Sequence, residues 1–233
     1  MSSQRSILVG DERIPEMKHH KILGITVNNT LSWTDHVYGR GGVISLVNQR
    51  IGALKRLSFN IPKEYLPQIS NSIVTSKLRY GLAVYGSVRM SDSDPKTQQQ
   101  RDLQVALNKA LRIVTKVRLA DRVPIQELCY RTGALTVNQM CCEDQLRLVW
   151  NSLRDESSPL RSLFNTECGP AGMLSRSRAQ GKVQQIAKTS VGQRNLPYTA
   201  ISVWNELETD TKKIEKTSTV KRAIKAYAKT LPI

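Results

Sequence analysis

The spacing of apolar residues predicts short strands at the start of the chain. Between Ile7 and Val27 the sequence holds three runs rich in branched side chains, I-L-V-G, R-I-P-E-M and K-I-L-G-I-T-V. Runs of this length and composition are typical of β-strands. Turn formers lie at their boundaries, at Gly10–Asp11 and at Asn28–Asn29. We therefore predict a small β element at the N-terminus.

The apolar spacing then changes to that of a helix. One face carries an apolar residue every three or four positions: Val43, Val47, Ile51 and Leu54. This spacing predicts an amphipathic helix with a basic outer side. Pro62 can begin a second helix, whose inward face continues from Leu66 to Tyr85. Because only residues 58–61 separate the two segments, we expect an antiparallel helix pair.

Further helical patterns follow a polar segment. Residues 87–97, S-V-R-M-S-D-S-D-P-K-T, have the composition of a loop, and we place the main joint of the chain there. Helical periodicity then recurs in five segments: 103–117, 124–131, 137–155, 199–207 and 217–230. Turn formers dominate 156–198, which predicts a loop-rich stretch. The predicted fold class is mainly α with a small N-terminal β element (α+β), a helical bundle followed by a second helical region.

The distribution of charge points to a polyanionic partner. Lys and Arg number 35 against 19 Asp and Glu, a formal net charge of +16. The excess is concentrated, since residues 37–91 contain eight basic residues and a single acid, Glu64. A segment with one acid lacks the partners that would form surface ion pairs. We therefore favour binding of a polyanion over simple solvation of helix faces.

The spacing of cysteine, histidine and carboxylate residues predicts no catalytic or metal-binding site. The four cysteines include no C-x-x-C pair, and the histidines lie far from them in sequence. Cys141 and Cys142 fall inside a helical pattern, which predicts reduced thiols in the core. Asp92 and Asp94 form the one Asp-x-Asp pair, but their Ser- and Pro-containing segment predicts turn and capping residues. We assign no catalytic residue, metal or cofactor.

Two further sequence features bear on phosphate binding and on the location of the protein in the cell. The G-R-G-G run at 39–42 could present backbone N–H groups to a phosphate, but an interruption at a helix start explains it more simply. No apolar run approaches the roughly 18 residues of a membrane span, and the first ten residues lack the apolar stretch of a secretory signal. We expect no membrane association and an intracellular location, in the nucleus or cytoplasm.

Several segments resemble, in register, the C-terminal part of reverse transcriptases from non-LTR retrotransposons, the jockey-like mobile elements. These segments are K-I-L-G-I-T-V-N-N-T-L-S-W-T-D-H-V at 21–37, I-G-A-L-K-R-L at 51–57, S-K-L-R-Y-G-L-A-V-Y-G at 76–86, Q-V-A-L-N-K-A-L-R-I-V-T at 104–115 and G-Q-R-N-L-P-Y-T-A-I-S-V-W-N-E-L at 192–207. The resemblance spans nearly all the chain. Three features depart from the family pattern: Tyr85 in place of a frequent Trp, Glu208 in place of Pro, and the glycine cluster at 39–42.

The resemblance implies a division into three parts. Residues 1–36 correspond to the end of the palm, with a primer-grip-like β hairpin that matches Leu23 and Gly24. Residues 37–91 correspond to a basic helical thumb, and 98–233 to a C-terminal helical region. The family's catalytic Y/F-A-D-D turn is expected upstream of Met1. The chain is therefore expected to be a non-catalytic fragment of an RNA-directed DNA polymerase.

The expected partner is RNA or an RNA–DNA duplex, contacted through its backbone, and no small-molecule substrate is expected. The candidate contact residues share the basic sides of the predicted helices: Arg50, Lys55, Arg56, Lys63, Lys77, Arg79, Lys109, Arg112 and Lys116. An alternative is a non-enzymatic helical protein-interaction domain with a basic solubilising surface. Trp150, Tyr198 and Trp204 are then candidate anchors, unless they are ordinary core residues. The sequence does not specify an oligomeric state.

Overall fold

The computed structural model describes residues 6–94, 96–164 and 196–233. The described chain is mainly helical, with two small antiparallel sheets near its N-terminus, which confirms the predicted fold class. Most of the predicted loop-rich stretch at 156–198 lies outside the described residues, as does Cys168.

The N-terminal β element consists of two separate hairpins. Strands β1 (Ser6–Val9) and β2 (Glu12–Pro15) form the first, and β3 (His19–Ile22) and β4 (Ile25–Asn28) form the second. Both hairpins turn through two residues. In the second turn Leu23 and Gly24 both have positive φ, of 48° and 83°, as a type I′ turn requires. The strands predicted from I-L-V-G and R-I-P-E-M are confirmed, whereas the turn at Leu23–Gly24 divides the K-I-L-G-I-T-V run between two strands.

The glycine cluster at 39–42 interrupts the helices as predicted. Helix α1 (Thr34–Tyr38) ends at Gly39, and the longer α2 (Val43–Leu57) begins after Gly42. The four apolar residues predicted to face inward from α2 are all buried: Val43, Val47, Ile51 and Leu54.

The segment from Pro62 to Tyr85 is more broken than its periodicity predicts. A 3₁₀ turn (Lys63–Tyr65), α3 (Leu66–Ser70), a π-helical turn (Asn71–Thr75) and α4 (Ser76–Arg79) follow without a gap. The chain then turns at Gly81, with φ of 73°, before α5 (Leu82–Tyr85). A Cβ at Gly81 would lie 2.8 Å from Ile25 Cδ1. The helix is interrupted at Gly81, but the predicted inward face continues past the break, since Leu82 and Tyr85 are both buried.

Two long helices follow the loop after α5. Helix α6 (Gln98–Thr115) begins at Thr97, whose hydroxyl accepts from the Gln100 N–H. A 3₁₀ turn (Leu119–Asp121) and α7 (Ile125–Thr132) lead to α8 (Val137–Arg154). Reciprocal hydrogen bonds between Thr136 and Gln139 start α8, a capping box that satisfies otherwise unpaired N–H groups. A 3₁₀ turn (Arg161–Phe164) follows.

The last helices close the fold against α8. They are α9 (Leu196–Glu206), α10 (Thr209–Lys213) and α11 (Thr217–Thr230). Helices α9 and α11 both pack on α8. The side-chain amide of Asn138 in α8 also donates to the Pro232 carbonyl, at 2.9 Å.

Two apolar clusters meet along α8. The first joins α2 through the start of α8, from Val37 to Cys141, and the second joins the rest of α8 to the C-terminal helices. The first cluster contains residues from before and after the loop at 87–94, so this loop does not separate two cores. Trp150 and Trp204 are buried in the second cluster, so both are core residues rather than surface anchors.

The cysteines in α8 are confirmed as buried thiols. Neither Cys141 nor Cys142 is exposed to solvent. Burial, with a small contribution from Glu143, raises the pKa of Cys142 to about 12, and burial raises the pKa of Cys141 further. Both thiols are therefore protonated at neutral pH. Over the described ranges, no helix is both long enough and apolar enough to cross a membrane.

Candidate nucleic-acid interface

Helices α2 and α6 lie side by side and point in the same direction. Near their N-terminal ends, the Tyr38 hydroxyl donates a 2.6 Å hydrogen bond to the Asp102 carboxylate. Near their C-terminal ends, Lys55 of α2 and Lys116 after α6 border a common hollow. The helix pair thus places the basic ends of two helices next to each other.

The hollow between these helix ends, called here the α2–α6 hollow, has a volume of about 940 Å³. Five of its lining residues are cationic and none is acidic. The cations are Lys55, Lys109, Arg112, Lys116 and Arg118. Four of them belong to the set predicted from the sequence, although they come from segments more than fifty residues apart.

Local structure explains why cations occupy this position. Lys55 and Arg112 lie in the last turns of α2 and α6, where the negative end of the helix dipole stabilises positive charge. The Arg112 guanidinium also donates to the carbonyls of Arg118 and Val123, at 3.3 and 3.0 Å, and so holds the loop that follows α6. Lys116 ends α6 with a positive φ of 56°.

The positive charge of the hollow is largely uncompensated. Arg118 has an acidic neighbour, Asp121, at 3.5 Å. Among the described residues, no carboxylate lies within 4.0 Å of the side-chain nitrogens of Lys55, Lys109 or Lys116. The arrangement can attract and hold phosphate groups without a competing internal anion.

Sequence reasoning missed the apolar part of the hollow. Phe59 and Leu119 line it with 78% and 79% of their surfaces exposed, and Val105 lines it as well. Phe59 lies in the joint between the first two long helical segments, where a solvent-exposed aromatic residue is unusual. An aromatic residue between Ser58 and Asn60 in a short joint was the available signal.

The other predicted cations lie elsewhere. Arg50 donates to the Ile73 carbonyl at 2.8 Å, which ties α2 to the π-helical turn. The Lys77 ammonium lies 5.6 Å from the centre of the Tyr80 ring. Lys63 and Arg56 are exposed on the 3₁₀ turn and on α2. None of these four side chains lines the α2–α6 hollow.

Arg79 forms ion pairs within the protein and does not lie on an unpaired basic surface. Its guanidinium binds the carboxylates of Asp144 and Glu143 in α8, with the Glu143 contact at 2.8 Å. Burial opposes the charge of Arg79, but the hydrogen bond and charge of Asp144, with Glu143, raise its pKa. For Asp144, burial raises the pKa and the contact with Arg79 opposes that rise. Arg79 therefore neutralises buried acids and has little charge to offer a phosphate.

The predicted hairpin tip at Leu23–Gly24 contacts the helical body. The Tyr80 hydroxyl donates to the Leu23 carbonyl at 2.6 Å. Leu23 itself points outward, 85% exposed, and has the positive φ that a branched side chain rarely adopts. Two segments that carry the family resemblance, at 21–37 and 76–86, thus meet in space.

His36 supports the same hairpin from beneath. Its Nδ1 accepts a 3.2 Å hydrogen bond from the Thr26 N–H, and its ring packs edge-on against Tyr85, 4.8 Å between centroids. Burial first, then the charges of Lys77 and Lys21, lowers the pKa of His36. A neutral imidazole is needed here because a protonated Nδ1 cannot accept.

The carboxylate pair near the main joint behaves as predicted. Asp94 accepts from the N–H groups of Met90 and Ser91, at 2.8 and 2.9 Å, so it stabilises the turn. Asp92 lies in the same turn, 4.0 Å from the Arg89 guanidinium. Within residues 6–94, 96–164 and 196–233, no three His, Cys, Asp or Glu side chains come together as a metal site.

Comparisons with family models, curated proteins and solved structures returned no match to this chain.

Proposed function

We propose that this chain is the C-terminal, non-catalytic part of a non-LTR retrotransposon reverse transcriptase, and that its basic helices bind RNA or an RNA–DNA duplex. The supporting observation is the α2–α6 hollow, in which five cations converge without an acidic lining residue. The order of the resembling segments supports the family proposal, and the contact between Leu23 and Tyr80 is consistent with it.

Binding would proceed through the phosphate backbone. Lysine and arginine side chains neutralise phosphates and release condensed counterions, which gives affinity without reading the base sequence. If about five phosphates are neutralised, the logarithm of the affinity should fall against the logarithm of the salt concentration with a slope of about −4.5 on duplex. Binding that is absent at low salt, or that ignores salt, contradicts the proposal.

Charge reversal tests whether the hollow is the site. In the triple variant Lys55→Glu, Lys109→Glu, Lys116→Glu, retention of an RNA–DNA duplex should be lost at moderate salt. The matched control is Lys213→Glu, Lys221→Glu, Lys229→Glu, which reverses three exposed lysines outside the hollow. Both variants change the net charge equally, so an equal loss in both would show that only overall charge matters.

A primer-extension assay tests the non-catalytic part of the proposal. The chain incubated with primer, template, nucleotides and Mg²⁺ or Mn²⁺ should give no product above background, because its sequence has no strand-borne carboxylate pair to hold two metals. Metal-dependent synthesis by the purified chain would overturn that part and leave the binding proposal standing.

The alternative, a helical protein-interaction domain, draws support from a different surface. The β1–β2 hairpin leaves Ile7, Leu8 and Val9 exposed. A protein partner bound there should remain bound to the charge-reversed variant, whereas a nucleic acid should not.

A further inference from the structure

We propose that the α2–α6 hollow binds a single strand, with an unpaired base stacked on Phe59 and its flanking phosphates on the surrounding cations. This inference rests on the proposed function, because it assumes that the hollow binds nucleic acid. It adds the form of the nucleic acid: the hollow would prefer an unpaired strand to a duplex.

The lining of the hollow has two parts that match the two parts of a nucleotide. The cations described above can neutralise phosphates, while Phe59, Val105 and Leu119 present exposed apolar surface between them. A basic groove combined with an aromatic platform is the arrangement by which proteins bind single strands, because every base has a flat face that can stack. A volume of about 940 Å³ is ample for one planar ring system.

A duplex would use only half of this lining. In a helix the flat faces of the bases are covered by their neighbours, so a duplex presents phosphates and groove edges. The cations could contact those phosphates, but the face of the Phe59 ring would have no base to cover it. The exposed apolar surface therefore favours an unpaired strand or strand end.

The backbone holds Phe59 in place before any ligand arrives. The N–H groups of Asn60 and Ile61 both donate to the Leu57 carbonyl, at 3.1 Å, and the Ser58 hydroxyl donates to the Lys55 carbonyl at 2.7 Å. The turn after α2 is thus hydrogen-bonded on both sides of Phe59. Because the backbone at Phe59 is already ordered, stacking of a base on its ring requires no ordering of this turn.

Charge selects the class of ligand. An apolar peptide would match the floor of the hollow but bring no negative charge to its five cations, while a nucleic acid strand carries one phosphate for every base. An acidic amphipathic peptide is the remaining competitor, and the experiment below includes it.

The test compares three labelled probes by fluorescence anisotropy at one low salt concentration: a 12-nucleotide oligo-dT, a 12-base-pair duplex and a 12-nucleotide strand of abasic sites. Phe59→Ala should weaken binding of oligo-dT roughly tenfold and change the affinity for duplex and abasic strand less than twofold. Phe59→Trp retains a flat ring and should restore oligo-dT binding. Tyr130→Ala removes an equally exposed aromatic residue outside the hollow and is the matched control.

The outcomes separate this inference from the proposed function. If the wild-type chain binds all three probes and Phe59→Ala changes none of them, the single-strand inference is overturned while backbone binding stands. If no probe binds, both fail. If a Glu- and Leu-rich helical peptide binds in a Phe59-dependent way and the nucleic acids do not, the hollow is a peptide site and the inference is wrong. Because Phe59 is exposed, the variants should keep the wild-type melting temperature.

Discussion

The hydroxyl of Tyr80 donates a 2.6 Å hydrogen bond to the backbone carbonyl of Leu23, across 57 residues of sequence. This bond joins the tip of the β3–β4 hairpin to the turn between α4 and α5. Gly24 lies against the same ring, since a Cβ built there would be 3.4 Å from Tyr80 Cε1. A small hairpin is only marginally stable by itself, so its order depends on contacts of this kind.

Removing the Tyr80 hydroxyl should loosen the hairpin without unfolding the helical body. For Tyr80→Phe we expect a loss of about 1 kcal/mol in the free energy of hairpin opening, the usual net value of one hydrogen bond. Native-state hydrogen exchange of the amides in residues 19–28 measures it. Tyr65→Phe, at an exposed tyrosine before α3, is the control. Unchanged exchange in Tyr80→Phe would mean that the bond does not hold the hairpin.

Arg79 should matter for stability and not for nucleic-acid binding. Arg79→Met removes the 2.8 Å partner of the Glu143 carboxylate, which is only 8% exposed, and leaves Arg147 at 3.7 Å as its remaining cation. Removing one partner of a buried ion pair costs roughly 3 kcal/mol, measurable by urea denaturation at pH 7.

The control for that prediction is an exposed pair. Arg131→Met breaks the 2.7 Å contact with Glu127, in which both side chains are more than 40% exposed, and should cost less than about 1 kcal/mol. The affinity of Arg79→Met for duplex should stay within about twofold of wild type, because Arg79 is paired with carboxylates and does not neutralise a phosphate. A large loss of affinity with normal stability would contradict this prediction and show that Arg79 contacts the nucleic acid.

The free energy of unfolding should fall as the pH drops below 6.5, the ordinary pKa of a histidine side chain. The pKa of His36 is lowered from 6.5 by burial and by Lys77 and Lys21. The unfolded chain therefore takes up a proton near pH 6.5 while the folded chain resists it. The stabilisation is fully present above pH 6.5 and is lost as the pH falls toward the lower folded pKa, with a slope of at most about 1.4 kcal/mol per pH unit.

The His36→Asn variant isolates this contribution. It removes the titrating ring but keeps an acceptor for Thr26, so the difference in slope between pH 7.5 and 5.5 should disappear. Denaturant titrations at four pH values measure it, and His19→Asn on an exposed strand is the matched control. A variant with the wild-type slope would show that another group is responsible.

The thiols of α8 should be unreactive in the folded protein. Burial raises the pKa of Cys142 to about 12, and Cys141 has no exposed surface. The thiolate is the reactive form, so iodoacetamide at pH 8 should modify these two residues at least about a hundredfold more slowly than in urea, by the scale of local opening. Peptide mapping by mass spectrometry identifies the modified residues. Equal rates in buffer and urea would contradict the buried position.

Local sequence predicted most, but not all, of the secondary-structure elements of this fold. The first hairpin, the helix break at 39–42 and the inward face of α2 all follow from side-chain periodicity and turn chemistry, which act over a few residues, whereas the second hairpin was expected only from the family resemblance. The helix from Leu66 toward Tyr85 was predicted as continuous, but the structure interrupts it at Gly81, where the side chain of Ile25 from the distant strand β4 lies against the turn. A local pattern carries no information about such a contact.

The candidate site was predicted only in part. Net charge and spacing selected nine cations, and four of them meet in the α2–α6 hollow. Phe59 and Arg118 were missed because one looked like an ordinary joint residue and the other lay beyond the predicted helix. Arg79 matched the same basic pattern as Lys55, but Asp144 and Glu143 lie beside it only after α8 has packed.

The sequence by itself determined a basic, mainly helical chain with an N-terminal β element and no recognisable catalytic motif. The tertiary structure decided which cationic side chains remain accessible to a ligand and which are paired with carboxylates within the protein. The physical reason is that charge and periodicity are properties of each segment, whereas the neutralisation of an arginine or the exposure of a phenylalanine depends on how distant helices are rotated against one another.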